Sequence, residues 1–366
     1  MKIIADQNMP LVEILFSQFG DVELLPGRDI SRQTIGDAEI LLVRSVTEVN
    51  RSLLEDSSVR FVGSATAGSD HIDKQYLEDN NIHFAYAPGC NAQAVVEYVL
   101  SVICCLCPNW QQRTVGILGC GNVGGRLYQC LQALKISTLV YDPFLDASSN
   151  PHLCSFDAVL ACDIISVHTP LTKLGVYPTY HLFDSAVLDQ IQPSTLLINT
   201  SRGAVVDNRA LKEKLLEDSS LRVALDVWEA EPQIDPQLLD LVTLATPHIA
   251  GYSDEGKIKG TRMLYDAVQA LYPHLAKNQG DDAIEPQGSQ LALTNTQIAE
   301  AILACYRVTN DDYNFRQAVA NSGSPVAEVF DKLRKNYPQR REFSHYRVSK
   351  TLACSEQLGR LGFSLI

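Results

Sequence analysis

Short apolar runs and helical patterns alternate along the first ninety residues. Lys2 to Ala5 reads as a strand, and Pro10 to Phe19 sets Leu11, Ile14, Leu15 and Phe19 on one helix face. Ile40 to Val43, Phe61 to Ser64 and Ile82 to Tyr86 read as further strands. Strands alternating with helices predict a parallel sheet covered by helices. Pro88-Gly89 breaks the pattern, and a long apolar helix from Ala92 to Leu106 follows, ended by Pro108-Asn109. A second series then begins. Its predicted strands are Thr114 to Leu118, Thr138 to Tyr141, Ile164 to Val167, Leu196 to Asn199, Val223 to Leu225 and Thr243 to Ala245. A helical run from Asp254 to about Leu275 is expected to pack back on the first domain. Asn278 to Gln290, rich in Gly, Asp, Asn and Gln, reads as a linker. The remaining segment predicts helices near Thr296 to Tyr306 and Val326 to Leu333, with strands around Tyr346 to Val348 and Phe363 to Ile366. It has the size of a small separate domain.

Composition narrows the function classes. The chain has 366 residues and a formal net charge of −13. Nucleic acid is excluded as a main partner, because phosphate binding needs a basic surface. An anionic substrate would need locally placed Arg or Lys. The start, Met1-Lys2-Ile3-Ile4-Ala5-Asp6, runs straight into a strand and does not read as a secretory signal. The most apolar stretch, Ala92 to Cys107, is short for a membrane span and holds Glu97, so it reads as a buried helix. Ten cysteines without a secretory signal point to reduced thiols and the cytoplasm. Cys104 and Cys107 form a lone C-x-x-C inside that helix, which favours a structural role over metal binding.

The strongest motif is Gly119-Cys120-Gly121-Asn122-Val123-Gly124, a G-x-G-x-x-G that leaves a strand and opens a helix. The first glycine allows a tight turn, the second lets backbone approach a pyrophosphate, and the third lets helix pack on strand. The free N–H groups of the helix start favour an anion. Asp142 ends the next predicted strand at the expected distance of about 20 residues. It would accept hydrogen bonds from the adenosine ribose and repel a 2′-phosphate, so NAD is expected rather than NADP.

Three polar groups lie at or after later strands of the same series. Hydride removal from a 2-hydroxy acid needs a cation for the carboxylate, a base for the hydroxyl proton, and a carboxylate to orient that base. Arg202, His248 and Glu231 match these needs in kind. Their spacing alone does not establish a site.

These segments resemble the D-2-hydroxyacid dehydrogenases over about Met1 to Leu275. The resemblance implies a Rossmann NAD-binding domain (91–255) inserted in a flavodoxin-like catalytic domain (1–90 and 256–280). It implies the roles just given to Arg202, Glu231 and His248. It adds Thr169, Thr200, Ser201, Asp226 and Gly251 to Gly119, Gly121, Asn122, Val123, Gly124 and Asp142 as cofactor contacts. It assigns Ser45, Thr66 and Tyr252 to the substrate. Thr66 and Gly68 sit in a small-residue loop that could present backbone N–H groups to an anion.

Several runs resemble one branch of that family. They are Asp6-Gln7-Asn8-Met9-Pro10, Val43-Arg44-Ser45-Val46-Thr47, Ala65-Thr66-Ala67-Gly68-Ser69-Asp70-His71, Ala87-Pro88-Gly89-Cys90-Asn91-Ala92 and His248-Ile249-Ala250-Gly251-Tyr252. Phe330-Asp331-Lys332-Leu333-Arg334-Lys335-Asn336-Tyr337, followed by Arg340-Arg341-Glu342-Phe343, lies outside the common core and marks the branch. That match implies a phosphorylated hydroxy-acid substrate on the way to pyridoxal phosphate. It also implies a small α+β dimerisation domain at 285–366, and hence a homodimer. The substrate phosphate then needs cations, and the candidates are Arg44, Arg341 and Arg340. Two other readings stay open on the catalytic trio alone: a dehydrogenase for another substrate such as 3-phosphoglycerate, and an NAD-sensing corepressor of the same fold.

Overall fold

Ile40-Leu41-Leu42-Val43 is apolar on both faces, as suits a central strand of a parallel sheet, and all four residues are buried. In the structure, a computed structural model, residues 1–148, 150, 152–275, 289–291 and 297–366 are described. Most of the expected linker, and the domain limits at 280 and 285, lie outside the described residues. The chain divides into two compact units: Met1–Asn91 with the described part of Ser253–Pro286, and Ala92–Tyr252 with the described part of Gln287–Ile366.

The first unit is built on β1 (Lys2–Asp6), β2 (Asp21–Leu25), β3 (Ile40–Val43), β4 (Phe61–Ser64) and β5 (His83–Tyr86). All pairs are parallel, in the order β2-β1-β3-β4-β5. This is the flavodoxin-like order. The pattern above did not include β2. It is an edge strand, Asp-Val-Glu-Leu-Leu, with no buried residue, so its apolar signal is weak. The helix Asp254–Leu271 returns to this sheet as expected. Its Leu264 and Val268 are buried against Ile3, Ala5, Ile40, Leu42 and Phe61.

The second unit holds β6 (Val115–Leu118), β7 (Thr138–Tyr141), β8 (Ile164–Val167), β9 (Leu196–Asn199), β10 (Arg222–Leu225) and β11 (Leu244–Ala245). They pair in parallel, in the order β11-β10-β9-β8-β6-β7. An isolated parallel bridge from Val140 to Leu153 adds one more position beyond β7. Counted with it, the order is that of the doubly wound dinucleotide-binding fold. Ala92–Leu106 is one helix and is buried through most of its length.

The C-terminal segment carries the helices Ile298–Cys305, Val308–Asn321, Val326–Lys335 and Ser355–Leu361. It also carries three short parallel strands, β12 (Ser289–Gln290), β13 (Tyr346–Val348) and β14 (Ser364–Leu365). Two of those helices were not expected: Val308–Asn321 is mostly polar, and Ser355–Leu361 is short. The segment packs on the rest of its unit. Ile298, Ala301 and Ile302 share a core with Val95, Tyr98, Val99 and Val102. Phe315 and Phe330 are fully buried in the core that includes Leu225, Leu239 and Ala245. Burying each ring is worth about 2–3 kcal/mol. No described helix is long and apolar enough to cross a membrane.

Candidate active site

The glycine motif forms the turn that the spacing predicts. Gly119 has φ +84°, and a Cβ there would lie 2.9 Å from His168 O. A Cβ on Gly124 would lie 1.9 Å from Gly119 O, so the helix Asn122–Ala133 sits directly on the turn. Gly121, the residue before that helix, is different. A Cβ there would meet nothing within 4 Å. Its bare backbone faces open space at a helix N-terminus, the cradle that a pyrophosphate needs. Thr169 lies beside the turn, its N only 3.1 Å from a Cβ on Gly119, and its Oγ1 is buried with no hydrogen-bond partner. Such an orphan is what a bound cofactor would satisfy.

Asp142 follows β7 and is tied to this turn. Its Oδ2 accepts from Cys120 N at 2.8 Å and its Oδ1 from Phe144 N at 3.0 Å. Each oxygen keeps a further lone-pair direction for a ribose hydroxyl. The glycine cradle, the orphaned Thr169 hydroxyl and the fixed Asp142 carboxylate together fit NAD.

The turn after β9 is held by Asn199. Its Oδ1 accepts from Ser201 N at 3.1 Å and Ser201 Oγ at 2.8 Å, and its Nδ2 donates to Arg202 O at 3.0 Å. Arg202 Nη1 donates to Ser201 O at 2.8 Å. A Cβ on Gly203 would lie 1.9 Å from Trp228 C. The turn carrying Thr200, Ser201 and Arg202 therefore abuts the loop that carries Glu231.

His248 Nδ1 and Glu231 Oε1 share a short hydrogen bond, and Glu231 Oε2 accepts from Trp228 N at 3.1 Å. Burial pushes the Glu231 carboxyl up, but the His248 charge and hydrogen bond outweigh it and hold the group below its ordinary range. His248 has φ 55°, a conformation that bends the chain sharply at this residue.

Asp226 explains how that bend is held. Its Oδ1 accepts from Thr246 Oγ1 and from Ile249 N, both at 2.7 Å, and its Oδ2 from Ala250 N at 3.0 Å. His248 N donates to Asp226 O at 2.7 Å. The Asp226 side chain thus builds the loop that presents His248. Gly251 and Tyr252 continue this loop. The Tyr252 ring meets Tyr337 edge-on at 5.7 Å, with Arg334 5.8 Å above it.

Further residues, outside the sequence motifs, support the site. His168 sits between Ser166 Oγ at 2.8 Å and Thr200 Oγ1 at 3.3 Å, and burial pushes it down to about 3. Trp228 Nε1 donates to Thr246 O at 3.0 Å. Thr246 Oγ1 also meets Tyr98 OH at 2.7 Å. Asn199 alone carried a signal, a polar residue closing an apolar strand.

Arg340 does not offer itself to a phosphate. It is buried, donates to Ala250 O at 3.0 Å and Ala94 O at 2.6 Å, and lies 3.7 Å over the Tyr306 ring. Its neighbour Arg341 is half-buried. In the first unit, Arg44 is half-buried just after β3, and Ser45 is exposed. Thr66 Oγ1 donates to Gly68 O at 2.7 Å and meets Ser64 Oγ at 2.6 Å. Both stretches lie at the carboxyl ends of their strands, where ligands bind in open α/β sheets.

Residues 105–250 match the D-isomer specific 2-hydroxyacid dehydrogenase, NAD binding domain, and residues 284–362 match a domain of unknown function. The chain is 45% identical to the erythronate-4-phosphate dehydrogenase of Teredinibacter turnerae, across all of this chain and 99% of that one. It is 44% identical to the enzyme of the same name from Cellvibrio japonicus, across all of both chains. Among solved structures, the NAD-bound 3-phosphoglycerate dehydrogenase of Entamoeba histolytica superposes with a TM-score of 0.66 at 20% identity. It covers 78% of this chain and 99% of that one, a likeness of fold alone.

Proposed function

The chain belongs to the erythronate-4-phosphate dehydrogenase family, and from that premise we propose that it oxidises 4-phospho-D-erythronate to (R)-3-hydroxy-2-oxo-4-phosphobutanoate, a step toward pyridoxal 5′-phosphate. The observation that carries the reading is the Glu231–His248 pair, with His248 on a loop fixed by Asp226 and Glu231 on the loop beside the turn that bears Arg202. NAD, bound at the glycine turn, supplies the acceptor for the C2 hydride. Arg202 holds the α-carboxylate with its planar guanidinium. His248 takes the C2 hydroxyl proton at Nε2, because Nδ1 is committed to Glu231. Glu231 orients the ring and stabilises it once charged. Thr169, Thr200, Ser201, Asp142 and Gly251 are assigned to the cofactor. Asp226 acts there through the loop it builds. Ser45, Thr66 and Tyr252 are assigned to the substrate, with Arg44 and Arg341 as candidates for its phosphate.

We place the protein in the cytoplasm, where its ten cysteines would be kept as thiols. We propose a homodimer formed through the C-terminal segment, which sedimentation of the purified protein tests. The activity test is NADH formation with 4-phospho-D-erythronate measured beside 3-phosphoglycerate and D-lactate. A kcat/KM for the first about ten- to a hundredfold above D-lactate is expected from the lost phosphate contact, and 3-phosphoglycerate, one carbon shorter, should also be turned over more slowly. Equal or better turnover of 3-phosphoglycerate overturns the substrate assignment.

A further inference from the structure

In the first unit, Arg44 follows β3 at the carboxyl ends of the strands. The helix Asp254–Leu271 presses its first turns against these ends. A Cβ on Gly256 would lie 3.3 Å from Asn91 Cα and 3.4 Å from Cys90 O, in the loop after β5. A Cβ on Gly260 would lie 3.1 Å from Ala65 O, just after β4. Ala65 N in turn donates to Val43 O at 2.9 Å, at the end of β3 and next to Arg44. Lys257 stands between the two glycines, in the first turn of an eighteen-residue helix capped by Ser253 Oγ on Gly256 N at 3.0 Å. Three loops and a helix start therefore meet around Arg44, Thr66 and Lys257.

We propose that Lys257 and Arg44 together bind the phosphate of the substrate, with the start of the helix and the Thr66 loop completing the site. This rests on the substrate class proposed above. Burial and the neighbouring Arg44 guanidinium push the Lys257 ammonium down, and Asp254 opposes them only in part. Two neighbouring cations at the carboxyl ends of the strands, in a chain of net charge −13, favour an anion beside them. A phosphate monoester carries about −1.5 to −2 charges at neutral pH, which two cations match. The α-carboxylate is a separate anion and has its own partner in Arg202. In the sequence, Lys257 belongs to no catalytic or cofactor motif, and Arg44 alone does not show that a second cation joins it.

The test uses Lys257→Met and Lys257→Arg in the full-length protein. Lys257→Met is expected to raise the KM for 4-phospho-D-erythronate about ten- to a hundredfold, with kcat changed less than about threefold. Lys257→Arg restores most of the loss. Inorganic phosphate should compete with the substrate in the wild type, with an inhibition constant about tenfold or more weaker in Lys257→Met. NADH affinity, read by fluorescence, should stay unchanged and the thermal midpoint should not fall, which separates lost binding from misfolding. Unchanged KM and phosphate inhibition in a folded Lys257→Met overturn the inference, whatever the substrate. A wild type that does not oxidise 4-phospho-D-erythronate, yet loses inorganic phosphate binding in Lys257→Met, overturns the substrate assignment and leaves the anion site standing.

Discussion

Asp226→Asn tests whether the loop carrying His248 is built by one buried carboxylate. The side chain is 1% exposed and accepts three hydrogen bonds, two on Oδ1 and one on Oδ2. An amide offers one oxygen and one NH2. If its oxygen takes the Oδ1 place, the NH2 faces Ala250 N–H. If its oxygen takes the Oδ2 place, Thr246 can turn its hydroxyl to accept, but Ile249 N–H is left facing the NH2. Either way one backbone N–H in the catalytic loop is buried without a partner, at about 1–3 kcal/mol. The bonds that remain lose their charge assistance, about 1 kcal/mol each. Burial holds the Asp226 carboxyl above its ordinary range, against the pull of His248 and the three donors, so a neutral group recovers part of the loss. The net expectation is about 2–4 kcal/mol of stability. It is read from urea unfolding, with a kcat at least tenfold lower because His248 is no longer fixed. A variant with the wild-type midpoint and kcat refutes this account of the loop.

His248→Asn is expected to abolish turnover while NADH binding, measured by fluorescence titration, stays near normal; a near-normal kcat removes His248 from the chemistry. Asp142→Ala should weaken NAD and narrow the preference over NADP, compared as kcat/KM ratios. An unchanged ratio means that Asp142 does not meet the ribose. Burial, reinforced by Glu342 and opposed by Arg340, pushes Glu97 up to about 8. The folded chain then keeps a proton that the unfolded chain releases near 4.5. That stabilisation is complete at low pH and is lost as pH rises from about 4.5 towards 8, by about 4 kcal/mol. Glu97→Gln should flatten the fall in urea midpoint between pH 5 and 8, and equal slopes for the two proteins count against a protonated Glu97.

Much of the fold was legible because its signals are local. Gly-x-Gly-x-x-Gly with Asp142 fixes a strand, a turn and a helix within thirty residues, and β7, β8 and β9 fall on the predicted limits. Continuous apolar runs such as Ile164-Ile165 and Leu196-Leu197-Ile198 are fully buried, as central parallel strands require. β2 and the helix Val308–Asn321 were missed for the opposite reason. β2 buries none of its residues, and the helix buries only Val308 and Phe315. Tertiary packing, not pattern, gives such elements their stability.

The site was legible in its chemistry and not in its supports. Arg202, Glu231 and His248 could be chosen because the reaction calls for a cation, a carboxylate and a base in that domain. Nothing local tells that Asp226 spends its side chain on Thr246, Ile249 and Ala250, twenty or more residues away. Arg340 makes the point most sharply. Read as sequence, a paired arginine in an acidic chain invites a phosphate. Its guanidinium instead closes on Ala94 and Ala250, 246 and 90 residues distant, with Tyr306 beneath it. A buried arginine must find acceptors for its donors, and the backbone carbonyl at Ala250 lies two residues past His248. The same residue type that would serve a ligand at the surface therefore serves, when buried, to anchor the catalytic loop to the C-terminal segment. Burial decides between those roles, and burial at position 340 is set by residues that are far away in the chain.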